Sequence, residues 1–514
     1  MKIYLLAVTL ILPTLLKAQV PEDALRYSFY PQNGTARNLA VGGAMGSLGG
    51  DINATFVNPA GLGFFKTSEF VITPGLFINS NKLTYRGTQS SNKWNNAGFG
   101  ASGVIFGHPD ENRSNKSSAI SIAVTQTANF NNHIQYKGLN NYSSFAEQFA
   151  EEFAKSGYSI DEVLNSNSPF PYTSAPALYT YLIDTVTING VHQVKAAPEY
   201  ILDAGQALMQ EMNQTTTGGI TELSLAYARN INDKWFYGIS IGVPLVSYHS
   251  EANYKEYDTS SNAANHFKYF NYIDDFRTSG WGINGKIGII YRPKEYIRIG
   301  LAIHTPTFMD LADKRSTILY TEVENPANSF STSSATFTDG EAGRARYGQN
   351  TPFKAIISAS YVFREVSNTK KQRAFLTADI EYVNHRGSRF SSNNDEPTQE
   401  EKDYYKSLNK VIKADYKGNF NFRLGGELKF NTLMGRLGFA YYSNPYKDHE
   451  LKASRILLSG GLGYRNKGMF IDLTYVHSIN KDVSFPYRLE DRANTFTSIV
   501  QQRGNVVATI GFKL

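Results

Sequence analysis

From residue 69 onward the chain repeats one device, a stretch of about ten residues in which apolar and polar positions alternate. Phe420, Phe422, Leu424, Leu428 and Phe430 fall on one side of such a stretch, and Asn421, Arg423, Glu427 and Lys429 on the other. A period of two is that of a β-strand with two unlike faces. The core of a soluble sandwich does not accommodate the charged face. A strand with lipid on one side and a polar lumen on the other demands it. Leu376, Ala378, Ile380 and Tyr382 against Thr377, Asp379 and Glu381 repeat the pattern, as do Met469, Ile471, Leu473 and Tyr475 against Asp472 and Thr474.

Candidate strands fall near residues 69–80, 95–106, 117–130, 218–229, 234–248, 266–274, 280–292, 296–304, 314–324, 352–363, 373–386, 417–430, 432–443, 454–465, 468–480 and 503–514. Their connections alternate between tight (Asn230 to Asp233, Arg292 to Glu295, Asn431, Arg465 to Lys467) and long (about 131–217, 305–351, 387–416 and 481–500). Short inner turns and long outer loops are the habit of bacterial barrels. The pattern predicts an all-β fold, a transmembrane antiparallel β-barrel of between about 14 and 16 strands. Phe145, Phe149 and Phe153 at helical spacing predict a helix within 131–217, either a cap packed on itself or an apolar platform at the outer mouth. The last strand carries Val506, Ala508, Ile510, Phe512 and Leu514 on one face, the kind of terminal strand that the barrel assembly machinery is thought to read.

The first residues set the compartment. Lys2, an apolar run from Ile3 to Leu12 and the small residue Ala18 form a secretory signal peptide over residues 1–18, too short for a membrane anchor. No later stretch reaches the apolar length of a transmembrane helix. With 33 Tyr, 32 Phe and 42 Gly at a mean hydropathy of −0.35, the chain is aromatic yet polar, as a barrel requires. It has no cysteine, so neither disulfides nor thiolate sites enter. A formal net charge of +6 spread over 514 residues makes no case for nucleic acid.

Residues 19–66 do not alternate. They carry Gly34-Thr35-Ala36-Arg37, Gly42-Gly43, Asp51 and Asn58-Pro59-Ala60-Gly61 among apolar anchors such as Leu39, Val41, Leu48, Ile52, Phe56 and Val57. Glycine permits sharp bends and close approach, and Asn-Pro imposes a turn. This fits either a plug packed inside a barrel or a glycine-rich periplasmic leader, and the apolar anchors favour the plug. The stretch 34–62 resembles the N-terminal hatch of the FadL/TodX family of outer-membrane hydrophobic-compound transporters. The resemblance implies a bacterial outer-membrane barrel over residues 67–514, a hatch over 19–66, a hydrophobic small-molecule ligand such as a long-chain fatty acid, passive diffusion without a cofactor, and sideways release through a wall opening. Its ligand-contact residues do not align here, so none is carried over.

A lumenal cation such as Arg423 or Lys429 suits a carboxylate head group, and equally an ion pair with a neighbouring acid. Gly238-Ile239-Ser240-Ile241-Gly242 matches a nucleophile elbow, but that motif needs a strand-to-helix turn and this one sits within a strand. The nine His residues show no metal spacing. The chain is therefore expected to be a transporter and no enzyme, with outer-membrane lipid around it. An open porin and a barrel-embedded lipid hydrolase stand as alternatives.

Overall fold

A computed structural model describes residues 23–188, 190–260, 262–324, 327–363, 373–449 and 451–514; the signal-peptide expectation lies outside them. Fourteen antiparallel strands close into a barrel. They are β1 (Glu69–Ile72 and Pro74–Tyr85), β2 (Thr88–Phe99 and Ser102–Pro109), β3 (Ser117–Asn129 and Asn132–Asn140), β4 (Leu208–Ile231), β5 (Trp235–Asp258), β6 (Tyr269–Lys294) and β7 (Ile297–His304 and Phe308–Glu324). The ring continues through β8 (Gly343–Asn350 and Lys354–Phe363), β9 (Ala374–Asn384 and Arg389–Ser392), β10 (Gly418–Phe430), β11 (Leu433–Tyr442), β12 (Arg455–Asn466), β13 (Met469–Ser484) and β14 (Thr497–Lys513). It closes where β14 pairs with both parts of β1.

The alternation sorts each strand as expected. On β10, Phe420, Phe422, Leu424, Leu428 and Phe430 are exposed outward, while Asn421, Arg423 and Glu427 are buried inward. Aromatic residues bracket the apolar exterior. Trp235, Tyr291, Tyr296 and Tyr361 mark the inner edge, and Trp281, Phe308, Phe353, Tyr382 and Phe420 the outer one. From Tyr291 to Trp281, β6 runs roughly 33 Å, and a tilt of about 40° makes that a band about 25 Å tall, the height of a membrane core. The tight turns lie at the inner end, with Asn232 and Asp233 at φ 58° and 52° in the β4–β5 hairpin, the left-handed pair such a turn needs.

Several expectations change. Segments 266–274 and 280–292 are one strand, β6, and 296–304 and 314–324 belong to one, β7, interrupted around Pro306. The loops are shorter than expected because strands continue past the membrane. The ranges 131–217 and 305–351 give way to the upper parts of β3, β4, β7 and β8, and 481–500 to the ends of β13 and β14. Above the lipid the outward positions turn polar (Thr215, Thr217, His249, Glu251), so the alternation that announced the strands disappears. The stretch 387–416 holds the helix Gln399–Asp415.

The loop after β3 supplies the predicted helix, Glu147–Ser156, with Phe145, Phe149 and Phe153 buried against Tyr254, Tyr272 and Tyr487 at the outer mouth. These rings pack into a cap, so the three phenylalanines do not form a platform facing solvent.

Candidate functional site

The segment Asp23–Phe65 lies against the inward face of the wall almost all the way round. The Ala36 amide donates to Thr509 Oγ1 (2.7 Å), and Thr474 Oγ1 donates to the Ala36 carbonyl. Ser459 Oγ donates to the Ala40 carbonyl, the Gly46 amide to Asp379, and Arg298 to the Leu48 carbonyl. His304 Nε2 meets the Val57 carbonyl (2.8 Å), and Thr55 meets Ser121 (2.8 Å).

The motif residues converge on one another. Gly34 packs on Asn38 and Asn53, where a Cβ has no room. Thr35 caps the short helix Ala36–Ala40 by accepting from the Asn38 amide, and its hydroxyl donates to Asp51 (2.9 Å). Asp51 also accepts from the Asn53 amide. Arg37 donates to the Gly50 carbonyl (2.8 Å), whose amide in turn donates to the Gly61 carbonyl. Gly42 and Gly43 hold φ of 67° and 80°, a left-handed turn that fits glycine. Asn58 accepts from the Ala60 amide, with Pro59 at the first position of the turn that follows, and its Nδ2 donates to the Gly46 carbonyl (2.6 Å). These motifs build the segment's own frame.

The wall accommodates this segment with glycines of its own. A Cβ on Gly238 would meet Pro59 and Ala60, one on Gly288 would meet Asn58, one on Gly300 the Gly46 carbonyl, and one on Gly425 or Gly438 the backbone around Val41 and Gly42, each within 2.5 Å. In sequence they look like defects in strands. Gly238 thereby gains a role that has nothing to do with an elbow, and Ser240 sits within the continuous strand β5.

Beside this segment the lumen is charged. Lys286 pairs with Glu222 (2.5 Å), and Arg423 with Glu381 (3.2 Å) and Asp379 (3.8 Å). Arg436 bridges Glu427 (2.6 Å) and Asp472 (2.5 Å). Of the two readings of Arg423, the ion pair holds, and Lys429 has an interaction of its own. A cavity of about 100 Å³ between Tyr30, Gln32, Asn33 and the wall groups Glu222, Lys286, His304, Lys354 and Glu381 has room for a few waters at about 30 Å³ each.

Two cations that sequence reasoning missed stand higher. Arg455 (β12) and Arg503 (β14) face inward, and among the described residues neither has a carboxylate at ion-pair distance. The Arg503 Nε has no hydrogen-bond partner, and Arg455 lies 4.4 Å over the Phe29 ring, which meets His385 edge-on.

The wall is also incomplete. The upper part of β2, Thr88–Phe99, pairs only with β1, and the upper part of β3, Asn132–Asn140, only with β4, so no backbone ladder joins β2 to β3 there. The bend is at Phe130 and Asn131, and it draws β3 inward until Asn81 donates to Asn132 (2.8 Å) and to the His133 carbonyl (2.6 Å). At the foot of the gap, opposite Pro74 and just below lipid-facing Leu76 and Ile78, Asn33 Nδ2 donates to both sides, to Phe99 O (2.9 Å) on β2 and Gln126 O (2.8 Å) on β3.

No protein-family model matches the sequence, and no curated protein matches it. Solved structures do. A Pseudomonas aeruginosa FadL homologue superposes at TM-score 0.52 with 13% identity, covering 94% of this chain and 99% of that one. The P. putida toluene transporter TodX gives 0.51 at 12% identity (94% and 99%), and the Ralstonia pickettii toluene transporter TbuX gives 0.50 at 14% (95% and 100%). The chain has the FadL-type fold. A FadL-type barrel with this apolar band is a protein of the bacterial outer membrane.

Proposed function

We propose that this FadL-type barrel carries hydrophobic and amphipathic compounds, long-chain fatty acids foremost, inward by passive diffusion. In this reading residues 23–65 act as the hatch, and ligand leaves sideways between β2 and β3. The observation that carries it is the position of Asn33, a hatch residue that bridges the two unpaired wall edges at the foot of the gap, while Ser90 and Asn92 reach Gln135 across it higher up. Any shift of the hatch that frees Asn33 also frees the foot of the gap. Arg455 and Arg503, whose neighbouring acid Asp482 lies beyond ion-pair distance, would receive a carboxylate head group.

The test is uptake of labelled oleate into proteoliposomes together with single-channel conductance, for the intact chain and for a variant lacking residues 23–65. Oleate uptake with little current from the intact chain, and a conducting pore from the variant, support the proposal. Free conduction by the intact chain without oleate uptake makes it a porin.

A further inference from the structure

Above the membrane band, the outer wall of β5 to β8 carries basic side chains opposite one another. His249 faces Arg277 across β5 and β6, Arg277 faces Lys314 across β6 and β7, and Lys314 faces Arg344 across β7 and β8. All four side chains point outward; those of Arg277, Lys314 and Arg344 are exposed. Directly opposed residues on one face of an antiparallel pair stand about 5 Å apart at Cβ, where like charges repel. Three cationic strands in a row are unfavourable on a bare surface.

The acids nearby, Asp275, Asp310 and the exposed Glu251 on β5, are outnumbered by the cations around them, Arg277, Lys314, Arg344, Arg346 and Arg389. Asp275 is engaged by Arg277 (2.9 Å) and His249 (2.8 Å), and Asp310 by Arg346 (3.1 Å). Among the described residues Lys314 and Arg344 have no acidic partner. Arg346 and Arg389, both exposed, extend the patch toward β9.

Its height says what it meets. Arg277 lies four residues beyond Trp281, and Lys314 six beyond Phe308, the two aromatics of the outer girdle. At about 3.3 Å per residue on a tilted strand, that is roughly 10 to 15 Å above the hydrocarbon. This is the layer of lipid head groups, outside the lumen and clear of the hatch.

We propose that the row His249–Arg277–Lys314–Arg344 is a binding site for a phosphorylated glycolipid of the outer leaflet, with two or more phosphates lying across β6 to β8. The phosphates supply the counter-charge the wall lacks, and the sugar backbone rests above Trp281 and Phe308. The lipid would clamp the half of the barrel opposite the β2–β3 gap, which leaves the gap as the compliant side.

The full-length protein in detergent is titrated with bisphosphorylated lipid A and, in parallel, with phosphatidylethanolamine, and bound lipid is read by native mass spectrometry. The triple variant R277Q/K314Q/R344Q is expected to bind bisphosphorylated lipid A at least tenfold more weakly and phosphatidylethanolamine unchanged. A charge-matched variant on the outer helix, K402Q/K406Q/K410Q, is expected to bind as the parent does. Equal losses from both triples, or none from the first, overturn the site. So does binding that EDTA and E251Q abolish while the first triple leaves it intact. His249, Glu251 and Asp275 approach one another within 4.8 Å, and that result would mean a divalent cation held by these acids carries the lipid.

Discussion

Ser47, inside the barrel, and Ser360, on β8, stand with their hydroxyl oxygens 2.6 Å apart. The pair joins the N-terminal segment to the wall at a point where Ser358 and Thr377 complete a small hydroxyl cluster.

Because the chain has no cysteine of its own, S47C/S360C places a single thiol pair close to disulfide distance. If residues 23–65 must move for transport, the oxidised variant takes up oleate at a few per cent of the parent rate and the reduced one recovers. Undiminished uptake by the oxidised variant would show that the route bypasses this segment.

Filling a wall glycine displaces what lies against it. Gly438→Val drives a side chain into the Gly42 amide, which a Cβ alone would approach to 2.0 Å. A destabilisation of about 1–3 kcal/mol, or a displaced segment that conducts ions, is expected. Gly435, three positions earlier with nothing within 4 Å of its Cβ, is the control, and Gly435→Val should stay within about 0.5 kcal/mol. Thermal unfolding and bilayer conductance separate the two outcomes.

The outer cap should loosen with alkali. Burial pushes the Glu147 carboxyl up to about 7, outweighing the Ser144 amide that bonds to it and partly exposed Arg492 at 3.2 Å, with acidic Glu199 and Glu256 adding to the rise. A carboxyl raised in the folded state favours its protonated form. Its stabilisation is complete below about 4.5 and is lost as pH climbs through about 7, up to about 3 kcal/mol locally. Once the base-catalysed rise of intrinsic exchange is divided out, protection over Tyr142–Tyr172 should fall from pH 5 to pH 8 in the parent. It should fall less in Glu147→Gln, where Glu256, raised to about 7 by burial, still titrates against Ser144 and Phe145.

Arg455→Gln with Arg503→Gln should raise the half-saturating oleate concentration about tenfold while leaving a neutral alkane of similar length unaffected. Equal effects on both would remove the head-group role.

The strands within the membrane were legible because lipid enforces alternation, so β10 and β13 stood out from their exteriors alone. Around Arg277-Thr278-Ser279, above the lipid, both faces of β6 are polar, and one strand looked like two. The N-terminal segment announced itself through Gly42, Gly43 and Asn58-Pro59. The glycines it rests on, Gly238 and Gly425, did not, since a glycine in a strand gains meaning only from what lies against it. The inward cations were legible as cations and not as paired or free. Arg423 finds Glu381 across a strand pair 42 residues away in sequence, and Arg455 has Asp482 nearby but no carboxylate at ion-pair distance. That difference is set by register, which no single segment carries.

Thr509 on the last strand takes a hydrogen bond from Ala36 and lies 3.0 Å from Thr73 on the first, so the segment is tied to the one seam where the ring closes. Thr509 thus serves two joints with one side chain, the closure of the ring and the seating of the N-terminal segment, so a fault at either is felt at the other.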